Sequence, residues 1–187
     1  MNNNVKLELE KIYNLFYYNT LKSYLVATGS NEKYKGIKNN NLLIDVEKVV
    51  TAYGLENIFM GQGINMLVSS FERFLKDIFI LLASNYDSIE KEIRSSLDPK
   101  NKFQGSIKDF IESKRNTFSF QNLEKVSENY KKYIEVDIQR IFNETGAKFE
   151  HTDEQEQNRI EEIGFFEYFN KDIWPLRQEM THASEVP

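Results

Sequence analysis

Only three prolines, Pro99, Pro175 and Pro187, interrupt the 187 residues, so long tracts are free of the residue that most strongly breaks a helix. Across those tracts apolar residues recur at three- and four-residue steps, the repeat of a helix with one buried face. Between Val5 and about Ala27 they are Leu9, Ile12, Leu15, Phe16, Leu21, Tyr24 and Leu25, which predicts a first helix. From about Ile58 to Asn85 they are Ile64, Leu67, Val68, Phe71, Phe74, Leu75, Ile78, Phe79 and Leu82. That stripe lasts about five turns and predicts the central core helix. On its polar side Arg73 and Asp77 are four apart and can pair. Asn122 to Asn143, with Leu123, Val126, Tyr130, Tyr133, Ile134, Ile138, Ile141 and Phe142 in the same rhythm, predicts another long helix.

Shorter elements fill the gaps. Asp87 to Leu97 reads as a charged helix stopped by Asp98-Pro99, and Ser106 to Lys114 as a helix capped by Ser106. Thr28 to Asn41 is rich in Gly, Asn and Lys and reads as an exposed loop, while Asp45 to Tyr53 reads as a short helix ended by Gly54. A turn at Glu144-Thr145-Gly146 closes the long helix, and His151 to Glu162 is the most polar stretch, whose start reads as a loop or frayed helix end. Asp172 is placed to cap a final helix, with Pro175 in its first turn. With no internal repeat and no linker, the expectation is one all-α domain over 1–187, a bundle of about four core helices with extra short ones.

Cysteine is absent, which removes disulfides, thiolate metal sites and cysteine nucleophiles and suits a reducing compartment. The longest fully apolar run, Ile78 to Ala83, is far short of the roughly 20 residues that span a bilayer. The start, MNNNVKLELE, lacks the apolar centre of a secretory signal. The expectation is therefore a cytoplasmic protein with no membrane partner. From Glu150 to Pro187 there are ten acidic residues against three basic, so the first 149 residues carry about +2 of a total charge of −5. A protein that grips long nucleic acid without sequence preference is basic over its binding face. Contact with nucleic acid here should be confined to a small site.

Three constellations carry possible chemistry. His151 with Asp153 and Glu154 could supply metal ligands, although a solvated acidic loop is the plainer reading. Glu179 and His182 form one Glu-x-x-His half-motif; di-iron bundles need two, with further glutamates, and Glu72 is the one stand-in on another core helix. Arg177 and His182 are the third. A five-residue offset on a helix is roughly 140° of rotation and 7.5 Å of rise, so the two cannot point squarely at one spot, and they converge only if Arg177 reaches round with its long side chain or a second copy of the helix supplies the other half. Gln178, four before His182, shares its face, and Arg177 lies on the flank. Arginine with histidine, and no metal or cofactor, suits phosphodiester cleavage. The imidazole moves a proton from a ribose 2′-hydroxyl or to the leaving oxygen, and the guanidinium holds the phosphoryl oxygens.

The string LRQEMTH, Leu176 to His182, resembles the Arg-x4–6-His signature on the last core helix of the HEPN superfamily. The tracts FFEYFNKDIW, SFERFLKDIF and NTFSFQNLEKVSENY resemble the RiboL-PSP and related branches of that family. The resemblance implies an all-α bundle that dimerises across the motif helices, so that two Arg/His pairs face each other in a cleft. It implies a metal-independent ribonuclease of toxin or antiphage kind, acting on a structured RNA such as tRNA and held in check by an antitoxin or other regulatory partner. Arg177 would steady the scissile phosphate, His182 would be the acid/base, and Gln178 and Glu179 would be supporting polar residues. This chain has Gln178 where the family has Asn, Asp or His, and Ala183 where a glycine or another small residue is frequent. It also stops five residues after His182, where members of the family continue, which implies a truncated C-terminus. Some members are noncatalytic binding or dimerisation modules, the alternative this resemblance leaves open.

Overall fold

A computed structural model describes residues 3–34, 55–100, 102–144, 148–153 and 159–182. The fold is predominantly helical, in line with the all-α expectation, with one two-stranded antiparallel hairpin added. The elements are α1 (Asn3–Tyr34), α2 (Leu55–Asn85), α3 (Asp87–Leu97), α4 (Ile107–Ser113), α5 (Leu123–Asn129), a π turn (Tyr130–Ile134) and α6 (Ile138–Glu144). Then come β1 (Lys148–Asp153), β2 (Arg159–Gly164), α7 (Phe165–Tyr168), a second π turn (Phe169–Ile173) and α8 (Trp174–His182). The short helix expected at Asp45 to Tyr53, its terminator Gly54 and most of the loop expected at Thr28 to Asn41 lie outside the described residues. Thr28 to Tyr34 is not loop but the last part of α1.

The chain divides into two compact units, Met1–Tyr13 with Glu72–Asp172, and Asn14–Phe71 with Ile173–Pro187. In the first unit, α2 contributes Leu75, Phe79 and Ala83, all buried and four residues apart, so they form one line down the helix. Phe79 is fully buried, with its ring centroid 5.4–5.8 Å from those of Phe118, Phe120 and Tyr130. The Tyr130 hydroxyl donates to the backbone carbonyl of Leu75 at 2.6 Å. Burial pushes that phenol far above its ordinary pKa, so it stays protonated and serves as donor.

Between α3 and α4, Arg94 pins the connection. Its guanidinium donates to Glu90 (2.7 Å) and to the carbonyls of Phe103 (3.3 Å) and Gly105 (2.8 Å), and lies 5.5 Å from the Phe110 ring centroid. Asp98 ends α3 and accepts the Phe103 amide at 2.7 Å; that backbone hydrogen bond is the main reason its carboxyl sits below the usual range. Ser106 caps α4 as its sequence position predicts, accepting from the Asp109 amide at 3.1 Å. Lys76 reaches Glu112 across from α2 to α4 at 2.9 Å, and this pair lowers the Glu112 pKa.

Two expectations need correction in this unit. The helix expected over Asn122 to Asn143 is not continuous: α5 widens into the π turn and stops at Glu135, which adopts the left-handed conformation (φ 61°, ψ 27°) before α6 begins. The start of the polar stretch from His151 to Glu162, expected as a loop or frayed helix end, instead lies in β1, with His151 opposite Glu161 and Asp153 opposite Arg159 in register with β2. Gly164 ends β2; a Cβ there would run into the Asn143 side chain, which accepts the Phe166 amide at 3.3 Å and so caps α7.

In the second unit Phe16 of α1 packs on Phe71 of α2, ring centroids 6.1 Å apart, beside the buried Val68. The buried Ser23 returns its hydroxyl to the Asn19 carbonyl at 2.7 Å. In the first unit, the Arg73–Asp77 pair expected on α2 forms at 3.4 Å. No helix among the described residues is long and apolar enough to cross a membrane.

Glu135 gives a direct test of the backbone account. A non-glycine residue in the left-handed region costs about 1–2 kcal/mol, partly offset on substitution by the greater freedom of an unfolded glycine. Glu135→Gly should therefore raise the unfolding free energy in urea by about 0.5–1 kcal/mol. A loss of stability would show that the Glu135 side chain, not the backbone angle, governs this turn.

Candidate functional site on the last helix

The residues expected to carry chemistry fall on α8, whose sequence is WPLRQEMTH. Asp172 does not cap it as expected. It lies inside the second π turn, which runs without a break from α7 into α8. Pro175 is the second residue of α8. Its ring and missing amide disturb a regular ladder, and a wide π turn just before it supplies the looser spacing there.

Arg177 is half-buried, and its guanidinium carbon lies 5.1 Å from the ring centroid of Trp174, one turn earlier. A cation over an indole is favourable, by about 0.5–1 kcal/mol at a partly exposed site. Helical side chains lean toward the N-terminus, and this contact takes the guanidinium that way. His182 is the last residue of α8, five positions on; its side chain lies outside the described residues. Gln178 and Glu179 are exposed. Within one chain, then, α8 joins Arg177 to Trp174 and carries it away from the end of the helix where His182 sits. The Trp-x-x-Arg spacing, Trp174 to Arg177, is the sequence signal for this stack.

A concavity of about 750 Å3 lies within the first unit. Its rim carries Glu124, Glu128, Lys131, Asp137, Glu167 and Lys171. Lys131 pairs with Asp137 at 3.6 Å and Lys171 with Glu167 at 2.8 Å, so the lysines are engaged and the acidic excess faces the opening. The Asp137 carboxyl is held below its usual range chiefly by the Arg140 backbone amide, then by the nearby Lys131. A net negative rim of this kind is a poor site for an anion. Among the described residues no group of three or more carboxylate or imidazole side chains gathers as metal ligands would.

Trp174 is the one tryptophan in the chain, so its fluorescence reports the stack with Arg177. A neighbouring cation concentrates iodide at the indole without affecting a neutral quencher. Arg177→Gln should lower the ratio of iodide to acrylamide quenching by roughly a third to a half. An unchanged ratio would show that Arg177 does not rest on Trp174 in solution.

No family model, curated protein or solved structure matches the chain, so the reading of α8 rests on its own residues.

Proposed function

We propose that the chain is a metal-independent endoribonuclease of the toxin or antiphage-defence kind, working in the cytoplasm as a homodimer, with Arg177 and His182 as its catalytic residues. The observation that carries this reading is the placement of Arg177 on α8, half-buried and braced by Trp174, five residues before His182. A braced guanidinium loses less freedom when it takes hold of a phosphate, because its side chain is already ordered. Its lean away from His182 makes each chain half of a site, with Arg177 of one copy completed by the histidine of another.

In such a composite site the guanidinium binds the two non-bridging oxygens of one phosphodiester. The His182 imidazole takes the proton of the 2′-hydroxyl, and the 2′-oxygen forms a bond to phosphorus. As the P–O5′ bond breaks, the imidazolium returns the proton to the departing 5′-oxygen. The products are a 2′,3′-cyclic phosphate and a free 5′-hydroxyl, and the histidine ends as it began. An imidazole suits both transfers because it titrates near neutral pH. Charge grows on the phosphoryl oxygens in the transition state, and Arg177 opposes it there. A folded RNA such as tRNA fits a chain without a long basic face, and an antitoxin or other regulatory partner would keep such an activity in check.

The exposed Glu179, between the two motif residues, favours a second reading. A carboxylate beside the phosphate site weakens RNA binding, as a noncatalytic dimerisation or nucleotide-binding module of the same fold would tolerate. Cleavage of total RNA in EDTA separates the two. The proposal predicts cyclic-phosphate ends from the parent protein and at least a 10²-fold loss in Arg177→Ala and in His182→Ala, with unchanged far-ultraviolet dichroism. RNA left intact by the parent, or cleaved equally by the variants, would favour the binding module.

A further inference from the structure

Within the second unit α1 does not turn all its apolar residues inward. Tyr17, Tyr18, Leu21 and Tyr24 are 41–65 % exposed. At about 100° per residue they fall within an arc of roughly 120°, opposite Phe16 and the buried Ser23. Three of the four are tyrosines, and the rings of Tyr17 and Tyr18 already meet edge to face, centroids 5.9 Å apart. Rings held in this way lose little freedom when something settles on them. Tyr24 lies almost in line with Tyr17, seven residues and roughly 10 Å further along the helix.

Lys22 is the one charged residue between Lys11 and Glu32. It is exposed and sits four residues on from Tyr18, so it flanks the edge of the arc that Tyr18 marks. Taking about 200 Å2 for an aromatic side chain and somewhat less for a leucine, the four residues expose roughly 400 Å2 together. That is about half of the ~800 Å2 that one partner gives to a standard protein interface, and Leu21 is its single aliphatic member. A single strand of nucleic acid needs less. Each base stacks on one ring whatever its identity, and an ammonium beside the rings meets the backbone phosphate. No carboxylate on this length of α1 repels the strand.

We infer that this face of α1 is a stacking platform for a single strand of nucleic acid, with bases resting on Tyr17, Tyr18 and Tyr24 and the backbone passing Lys22. The inference stands on α1 alone and holds whether or not the protein cleaves RNA. It is tested by fluorescence anisotropy of the full chain with a labelled oligothymidylate of about twelve residues, which has no 2′-hydroxyl and so cannot be cut by the chemistry proposed above. The parent should bind the single strand at micromolar concentration, and a duplex of the same length at least roughly tenfold more weakly, because paired bases cannot stack on the rings. Tyr17→Ser and Tyr24→Ser should each weaken binding at least roughly fivefold with circular dichroism unchanged, while Tyr17→Phe, which keeps the ring, should stay within about twofold. Lys22→Gln should weaken binding about threefold and lower the salt slope by about 0.7. A parent that leaves the strand unbound, as a protein-docking face would, overturns the inference. So do equal affinity for the duplex, serine variants that bind like the parent, a Tyr17→Phe variant as weak as Tyr17→Ser, or Lys22→Gln without effect. RNA cleavage by a protein that fails these tests would refute the platform and leave the reading of α8 standing.

Discussion

The hydroxyl of Tyr130 is the contact on which the described core depends. It donates to the Leu75 carbonyl, one rung of the α2 ladder, while its ring lies against Phe79. Phe118, Phe120 and Tyr133 close round the same phenylalanine ring. A buried hydroxyl must be satisfied, and only a tyrosine at this depth reaches both the aromatic cluster and the backbone behind it. The π turn begins at Tyr130 itself and carries Tyr133. One widened turn lets both tyrosines bury against Phe79, where Leu123 and Val126 of α5 have already set the face. The left-handed Glu135 is where the chain leaves that turn.

What could be read from the sequence was whatever depended on neighbours along the chain. The stripe of α2, the bounds of α3, the Ser106 cap and the Arg73–Asp77 pair all follow from spacing of three or four residues, and each is in place. What could not be read depended on distant partners. The period of Leu123 to Phe142 continues through Glu135, because the break is imposed by Phe79 and Leu75, which lie far away in the chain. The hairpin was hidden because it depends on pairing between two separate segments, with His151 in register with Glu161 and Asp153 with Arg159, rather than on alternating apolar residues along one of them. Leu15, Leu21 and Tyr24 kept the helical rhythm of α1 yet lie exposed, since periodicity shows a face and not what covers it.

The same distinction governs the candidate site. That Arg177 and His182 cannot both point squarely at one spot was evident from the helical repeat alone. That Arg177 rests on Trp174 was not, although the three-residue spacing allowed it. The stack directs the guanidinium away from the end of α8, which is why the proposed site takes its histidine from a second copy. The self-paired, acidic rim of the 750 Å3 concavity in the first unit is a poor site for an anion.

A composite site has a signature that no single variant shows: complementation between two dead proteins. Arg177→Ala keeps the histidine and His182→Ala keeps the arginine, so a mixed dimer holds one intact site and one that lacks both groups. Mixing the two in equal amounts, with exchange of subunits, should restore about a quarter of the parent's RNA cleavage, because half the dimers are mixed and each has one of two sites. No recovery in a mixture shown to contain mixed dimers would contradict the claim that the two residues act from different chains.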